Sequence, residues 1–322
     1  MSKIFVTGVN GLLGTNVTLD LLNNGFYVIG LLRKNAKFTG GSHPNLQLVR
    51  GGLFDDLTHY LKEVDYVIHI AAITQQNLRK YSDYKSINCN ATIQLLHAAI
   101  HSKVKHFVFI SSANTLGYGT LSDPGTENTP IKAPFSSSLY AQSKLEAEHE
   151  LLKHKDKIKL NIINPTFMLG PYDNKPSSGK IIYMCWKKKV VFYPPGGKNF
   201  VHVKDVSHGI IQCLKFGENG KRYIIANENL SYKQFFEKVN EQTKQNPKMI
   251  KIPVCILILI GYIGDVLRFL QLKTNLCSTN MYTLYIKNYY SNTKSIKAFG
   301  LSYQSTELAI KDTIEYFNLH KS

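Results

Sequence analysis

Lys3-Ile4-Phe5-Val6-Thr7-Gly8-Val9-Asn10-Gly11-Leu12-Leu13-Gly14 passes from a short apolar run, through glycines in step, into a helix-like stretch over residues 12–24 that stops at Gly25. Glycines at 8, 11 and 14 allow a tight turn, close approach of backbone to a diphosphate, and close helix packing. The free N–H groups and the dipole at the start of the following helix favour the phosphate charge. A glycine triplet alone occurs in many strand-to-helix turns, so the surrounding pattern has to decide. Short apolar runs at residues 27–32, 47–50, 66–70, 106–111 and 160–164 follow the first strand at 3–7, with helical stretches at 84–101 and 140–154 between them. Near-continuous apolar runs of this length suit strands buried on both faces, and strand alternating with helix gives a doubly wound parallel α/β sheet. With that sheet in place, Gly8, Asn10, Gly11, Leu12, Leu13 and Gly14 are the expected diphosphate loop of a bound dinucleotide.

The end of the second strand distinguishes the dinucleotides. An acid about 20 residues beyond the loop would bind the ribose 2′-hydroxyl of NAD. This chain instead has Leu31-Leu32-Arg33-Lys34, with Lys37 nearby. Arg33 and Lys34 suit a 2′-phosphate, so NADP is expected, with NAD the alternative.

The chain has 322 residues, 43% of them hydrophobic, enough for a large core. Beyond residue 164, prolines and glycines make the stretch to Lys198 loop-rich; a strand-then-helix pattern returns over 200–216, and amphipathic helices follow at 232–243 and 305–317. Two parts are expected: residues 1–164 with 200–227 holding the dinucleotide, and 165–199 with 228–322 forming a smaller, discontinuous substrate-binding domain. The net charge is +17, yet the lysines are scattered and the densest runs, at 153–159 and 187–189, are short and lack interleaved aromatics. No nucleic-acid partner is expected; the field favours an anionic cofactor.

Five widely spaced cysteines without a Cys-x-x-Cys pair suggest neither a disulfide framework nor a metal site. They fit a reducing cytoplasm, as does an N-terminus that opens directly into a strand rather than a signal peptide. The apolar run at 254–263 is shorter than the roughly 20 residues that cross a bilayer as a helix, so no integral membrane segment is expected. A buried helix is the expected reading, with a contact lying on a membrane surface as its alternative.

Tyr140 and Lys144 fall four residues apart on a helix, which puts phenol and ammonium on one face. For the phenol to give and take a proton near neutrality its pKa must fall from near 10, a shift worth ~4 kcal/mol, and a neighbouring cation supplies that sign. Ser111 and Ser112 close the fifth strand at the carboxyl edge, where open α/β sheets bind ligands.

Taken together these stretches resemble the extended short-chain dehydrogenases/reductases, also called the NAD-dependent epimerase/dehydratase family, and their dihydroflavonol-reductase-like branch in particular. The matching features are Thr7-Gly8-x-x-Gly11-x-x-Gly14, His69-Ile70-Ala71-Ala72, Asn88 before Ala91-Thr92, Ser111-Ser112, Tyr140-x-x-x-Lys144, Asn164-Pro165 with Gly170-Pro171, and Phe200-Val201-His202-Val203-Lys204-Asp205-Val206, in family order over residues 3–206. The resemblance implies a Rossmann fold and a catalytic set of Ser112, Tyr140 and Lys144 supported by Asn88, with Ser111 as the less favoured hydroxyl. Tyr140 would be the acid/base; Lys144 would hold the nicotinamide ribose and lower the tyrosine pKa. Ala71 and Ala72 would flank the inner half of the cofactor and Pro165 the nicotinamide. Two positions depart from the family pattern: Gly51-Gly52-Leu53 where relatives often carry an acid on adenine, and Asn164 where many carry arginine in the substrate wall.

Dehydratases of the family carry Asp-Glu after the active-site hydroxyl; here Ala113-Asn114 follows, which disfavours dehydration. The basic second strand end and the stretch around Thr293-Lys294-Ser295 and Gly300-Leu301 resemble the reductase branch. Reduction of a ketone or aldehyde on a small molecule is the expected function. A nucleotide-sugar epimerase or reductase is the alternative, and a dinucleotide sensor without chemistry is opposed by retention of the serine, tyrosine and lysine. Family members often pair as homodimers through helices, which the resemblance allows here.

Overall fold

In the computed structural model, described here for residues 1–75, 78–272 and 274–319, the first half of the chain alternates as its apolar runs dictate. The elements are β1 (Lys3–Thr7), α1 (Leu12–Asn23), β2 (Tyr27–Leu32), β3 (Leu46–Arg50), α2 (Thr58–Leu61), β4 (Tyr66–His69), α3 (Tyr81–Lys85), α4 (Ala91–His101), β5 (His106–Ile110), α5 (Leu139–Leu152) and β6 (Lys159–Pro165). The second half holds β7 (Phe167–Leu169), α6 (Lys180–Tyr183), β8 (Val190–Tyr193), β9 (Gly197–His202), α7 (Val203–Phe216), β10 (Lys221–Ile225), β11 (Glu228–Ser231), α8 (Tyr232–Gln242), β12 (Lys248–Lys251), α9 (Val254–Phe269), α10 (Ser278–Tyr285), β13 (Lys287–Asn288), α11 (Thr293–Phe299) and α12 (Thr306–Leu319).

The six anticipated strands join β10 in one seven-stranded sheet of order β10-β6-β5-β4-β1-β2-β3. Every pairing in it is parallel. Chain direction across the sheet reverses between β1 and β4, which opens a crevice at their carboxyl ends. Both faces are covered. Val17, Leu21, Val206 and Ile210 pack on one side; Leu95, Leu96, Ala147 and Leu151 pack on the other. The strand at 221–225 was not anticipated: it starts with Lys221-Arg222 and only Tyr223-Ile224-Ile225 is buried, too short an apolar run to stand out.

The remaining strands sit apart from this sheet. β9 pairs with β7, β11 and β13 in a four-stranded sheet, and β8 pairs with β12. A separate apolar cluster that includes Phe200, Phe235, Phe236, Ile182 and Ile310 lies against them. The Phe200–Val206 motif has a structural role. His202 Nδ1 accepts from Lys204 N (3.0 Å), so its Nε2 proton points at Asp312 (3.2 Å) on α12, and Asp205 holds the backbone and side-chain N–H groups of Gln304. These bonds tie the last helix and the segment before it to the end of β9 and to α7.

The expected single helix over 84–101 is broken. Ser86–Asn90 forms a π-turn between α3 and α4. The larger correction concerns 254–263: the run is helical and continues to Phe269, but it is not buried. Only Leu257, Gly261 and Gly264 of the helix are fully buried. No described helix is long and apolar enough to cross a membrane, and no metal-ligand cluster occurs among the described residues.

Candidate active site

The glycine turn builds the floor of the crevice. Gly8 adopts φ +71°, and a Cβ there would lie 2.8 Å from Ala71 N, the first turn after β4. At Gly14 a Cβ would stand 2.0 Å from Gly8 O, so α1 touches the loop backbone directly. Gly11 caps α1 without any side-chain bond, and the first turn carries no acid. The leading N–H groups of this 12-residue helix therefore face the crevice beside an exposed Gly11, which fits a diphosphate group. Leu13 and Gly14 are buried, so they serve such a ligand only through backbone. Gly14→Ala is expected to raise the cofactor dissociation constant more than about tenfold and to lower Tm by several degrees, because backbone must move. Fluorescence titration and thermal unfolding check both effects.

A hydrogen-bond chain beneath the loop was not foreseen from sequence. Thr7 Oγ1 accepts from Ile70 N (3.1 Å) and Ala71 N (3.2 Å). Its own proton therefore goes to His69 Nδ1 (2.7 Å), leaving the imidazole proton on Nε2, directed at Thr92 Oγ1 (2.9 Å). Thr92 Oγ1 donates in turn to Asn88 O (2.9 Å). Full burial, with a smaller effect from the Lys144 charge, pushes the His69 pKa down to about 3, so the ring stays neutral. The signal lay in Thr7, His69 and Thr92, each polar in an otherwise apolar frame.

Asn88 does not touch the reacting groups. Its Oδ1 accepts from Ile73 N (2.8 Å), and its Nδ2 donates to Ile73 O (3.1 Å) and Ser143 Oγ (3.0 Å). Ser143 Oγ then donates to Tyr140 O (2.7 Å). The asparagine thus braces the loop after β4 against the helix that carries the tyrosine. Ala71 and Ala72 are half-buried on that loop, and Pro165 ends β6.

The sequence-chosen Ser112, Tyr140 and Lys144 meet at the carboxyl edge of β5. Ser138 caps α5, with its side chain accepting from Ala141 N, which sets the phase that turns Tyr140 and Lys144 inward. The Ser112 side chain lies beside the Tyr140 phenol and favours its ionised form. Ser111 Oγ is buried without a hydrogen-bond partner. Lys144 Nζ donates to Ile110 O (2.6 Å) and lies 4.1 Å from the centroid of the Phe109 ring. One expectation reverses. Burial pushes the Tyr140 phenol up to about 12, with Ser112 opposing, rather than down. Burial equally pulls Lys144 down to about 7, with Glu148 opposing, so the cation expected to acidify the phenol is itself poorly held.

Asn164 lies under this edge rather than in a substrate wall. It is fully buried, and Nδ2 donates to Ser112 O (3.1 Å), Thr115 Oγ1 (3.1 Å) and Glu148 Oε1 (2.8 Å). Arg222 lies 3.3 Å from the other Glu148 oxygen. At the far end of the crevice Arg33, Lys34 and Lys37 are exposed after β2. Arg50 at the end of β3, missed in the sequence, donates to Lys34 O and to Ala36 O (3.1 Å), pinning that loop. Asp55 accepts from Gly52 N (2.8 Å) and so organises the loop that departs from the family pattern.

Comparison with known proteins gives the chain's family and fold relatives. The family model described as NAD dependent epimerase/dehydratase family matches residues 4–226. A dihydroflavonol 4-reductase-like protein of Synechocystis sp. is 25% identical over 98% of this chain and 94% of its own length. The decarboxylating sterol-4-alpha-carboxylate 3-dehydrogenase of Dictyostelium discoideum is 29% identical over 73% of this chain and 75% of its own. The crystal structure of gox2253 superposes with a TM-score of 0.86 at 26% identity, covering 99% of both chains.

Proposed function

Since this chain belongs to the NAD dependent epimerase/dehydratase family, we propose that it is an NADP-dependent reductase of a ketone or aldehyde on a small molecule. The observation that carries the reading is the meeting of Ser112, Tyr140 and Lys144 at the carboxyl edge of β5, with Lys144 Nζ on Ile110 O (2.6 Å) and the Tyr140 phenol buried. A protonated phenol at neutral pH is a proton donor, which is what carbonyl reduction needs.

The backbone at Gly11–Gly14 would hold the diphosphate, Arg33 and Lys34 the 2′-phosphate, and Lys144 the nicotinamide ribose. When bound, the nicotinamide supplies the hydride. Ser112 and Tyr140 orient the substrate oxygen by hydrogen bonds. Tyr140 passes its phenolic proton to that oxygen as negative charge develops on it, so the carbonyl ends as an alcohol. The Lys144 ammonium stabilises the phenolate left behind, and solvent returns the proton. The reductase name of the Synechocystis relative supports this direction of chemistry, and the dehydrogenase name of the Dictyostelium relative is that of the same hydride transfer run in reverse.

The test is purified protein given NADPH and a panel of ketones and aldehydes, with one alcohol formed per NADPH oxidised. Co-purified NAD, together with interconversion of nucleotide-sugar epimers and no net oxidation, would overturn the reading. Arg33→Ser with Lys34→Ser is expected to lower kcat/KM for NADPH by about 10- to 100-fold, the loss of charge-assisted hydrogen bonds. The value for NADH should stay within a few-fold. Equal use of both cofactors by the unaltered protein would remove the NADP assignment.

A further inference from the structure

The outward face of α9 is apolar where a helix on a soluble protein is polar. Its buried seam is Leu257, Gly261 and Gly264, and a Cβ at Gly264 would lie 2.4 Å from Leu276 O, so the helix is pressed against the segment leading into α10. Ile258, Leu259, Tyr262, Ile263, Val266 and Phe269 point away, with Tyr262 63% and Phe269 86% exposed. The two charged residues of the helix turn inward: an Asp265 carboxylate oxygen accepts from Ser278 N (3.2 Å), and Arg268 donates to Thr274 O (3.4 Å). At about 24 Å the helix is shorter than the roughly 30 Å hydrocarbon core of a bilayer.

Charge along residues 242–306, the stretch that contains the helix, is one-sided. Asp265 is the sole acid between Glu241 and Glu307. Exposed Lys251 ends β12 three residues before α9, and exposed Lys248 starts that strand, where Lys189 O accepts from Lys248 N beside exposed Lys187 and Lys188. At the other end Arg79 donates to Arg268 O and Gln271 O (3.2 Å each), with exposed Lys80 beside it. A helix lying in the plane of a membrane keeps both ends at headgroup level, and here both ends carry cations.

From this pairing we propose that α9 seats the protein on an anionic lipid bilayer, its apolar face entering the headgroup boundary while the flanking lysines and Arg79 meet the phosphates. A second copy of the chain would bring the same cationic rim against itself, which like-charge repulsion disfavours. The inference is independent of the carbonyl substrate.

Flotation of the full chain with phosphatidylcholine vesicles, with and without phosphatidylserine, tests it. Binding is expected to the anionic vesicles and to weaken in high salt. Leu259→Ser with Ile263→Ser and Val266→Ser should reduce binding more than about tenfold. Lys248→Gln with Lys251→Gln should cost about fivefold per lysine on anionic vesicles alone. Because those lysines are exposed, their exchange keeps the charge arm informative even if the apolar triple variant misfolds, which melting temperature reports. An unaltered chain that does not float, variants that float equally well, or a lipid-indifferent dimer that the triple variant turns into a monomer would each overturn the proposal.

Discussion

Tyr140→Phe is expected to lower kcat for carbonyl reduction by about a hundred- to ten-thousand-fold, the range of general acid catalysis. The phenol is buried beside Ser112, and phenylalanine fills the same space without the proton. Cofactor affinity should therefore stay within about twofold and Tm within a few degrees. Single-turnover kinetics with NADPH check the first, and titration and thermal unfolding the others. A variant retaining activity within tenfold would place the proton source elsewhere. The pH profile follows from the same pair. Tyr140 lies at about 12 and stays protonated across the neutral range, whereas Lys144, at about 7, loses its proton as pH rises. If the ammonium is needed to steady the emerging phenolate, reduction should be fastest below about pH 7 and fall on the alkaline side. An activity that rises between pH 7 and 9 would contradict this assignment.

Lys144→Met is expected to abolish activity while raising stability. Burial holds the folded-state pKa near 7 against an ordinary value of 10.5. Between those values the unfolded chain binds a proton that the folded chain lacks, so folding is penalised below pH 10.5, increasingly down to about 7 and constantly beneath it. Methionine fills the site without that penalty, although the bond to Ile110 O is lost. A net gain of ~1–3 kcal/mol corresponds to a Tm rise of about 2–6 °C at pH 7, shrinking towards pH 10. Activity should fall about a hundredfold or more, because both the ribose contact and the cation beside Tyr140 disappear. A Tm that drops at pH 7 would mean that the lysine stabilises the folded chain, and would remove the stability–function conflict at this position.

The glycine turn, Ser111-Ser112 and the Tyr140–Lys144 spacing were legible as candidates because a strand-to-helix turn, a strand end and an i,i+4 helical pair are set by local geometry. Sequence reading gave no sign of the tautomer of His69 or of Arg50 pinning the loop beyond β2, since these bonds join residues many positions apart. Nor could it separate wall from foundation at Asn164, whose neighbours Thr115 and Glu148 come from other segments.

What the chain order alone determined was six of the seven strands of the large sheet and its ligand-binding carboxyl edge, through short apolar runs in alternation with helices and a glycine turn where the first strand ends. Such features depend on neighbours in sequence, because backbone geometry and apolar periodicity act over a few residues. Tertiary structure decided the protonation of Tyr140 and Lys144 and the outward face of α9. Burial and charge are sums over all surrounding segments, and an apolar run reads the same whether protein or solvent lies against it.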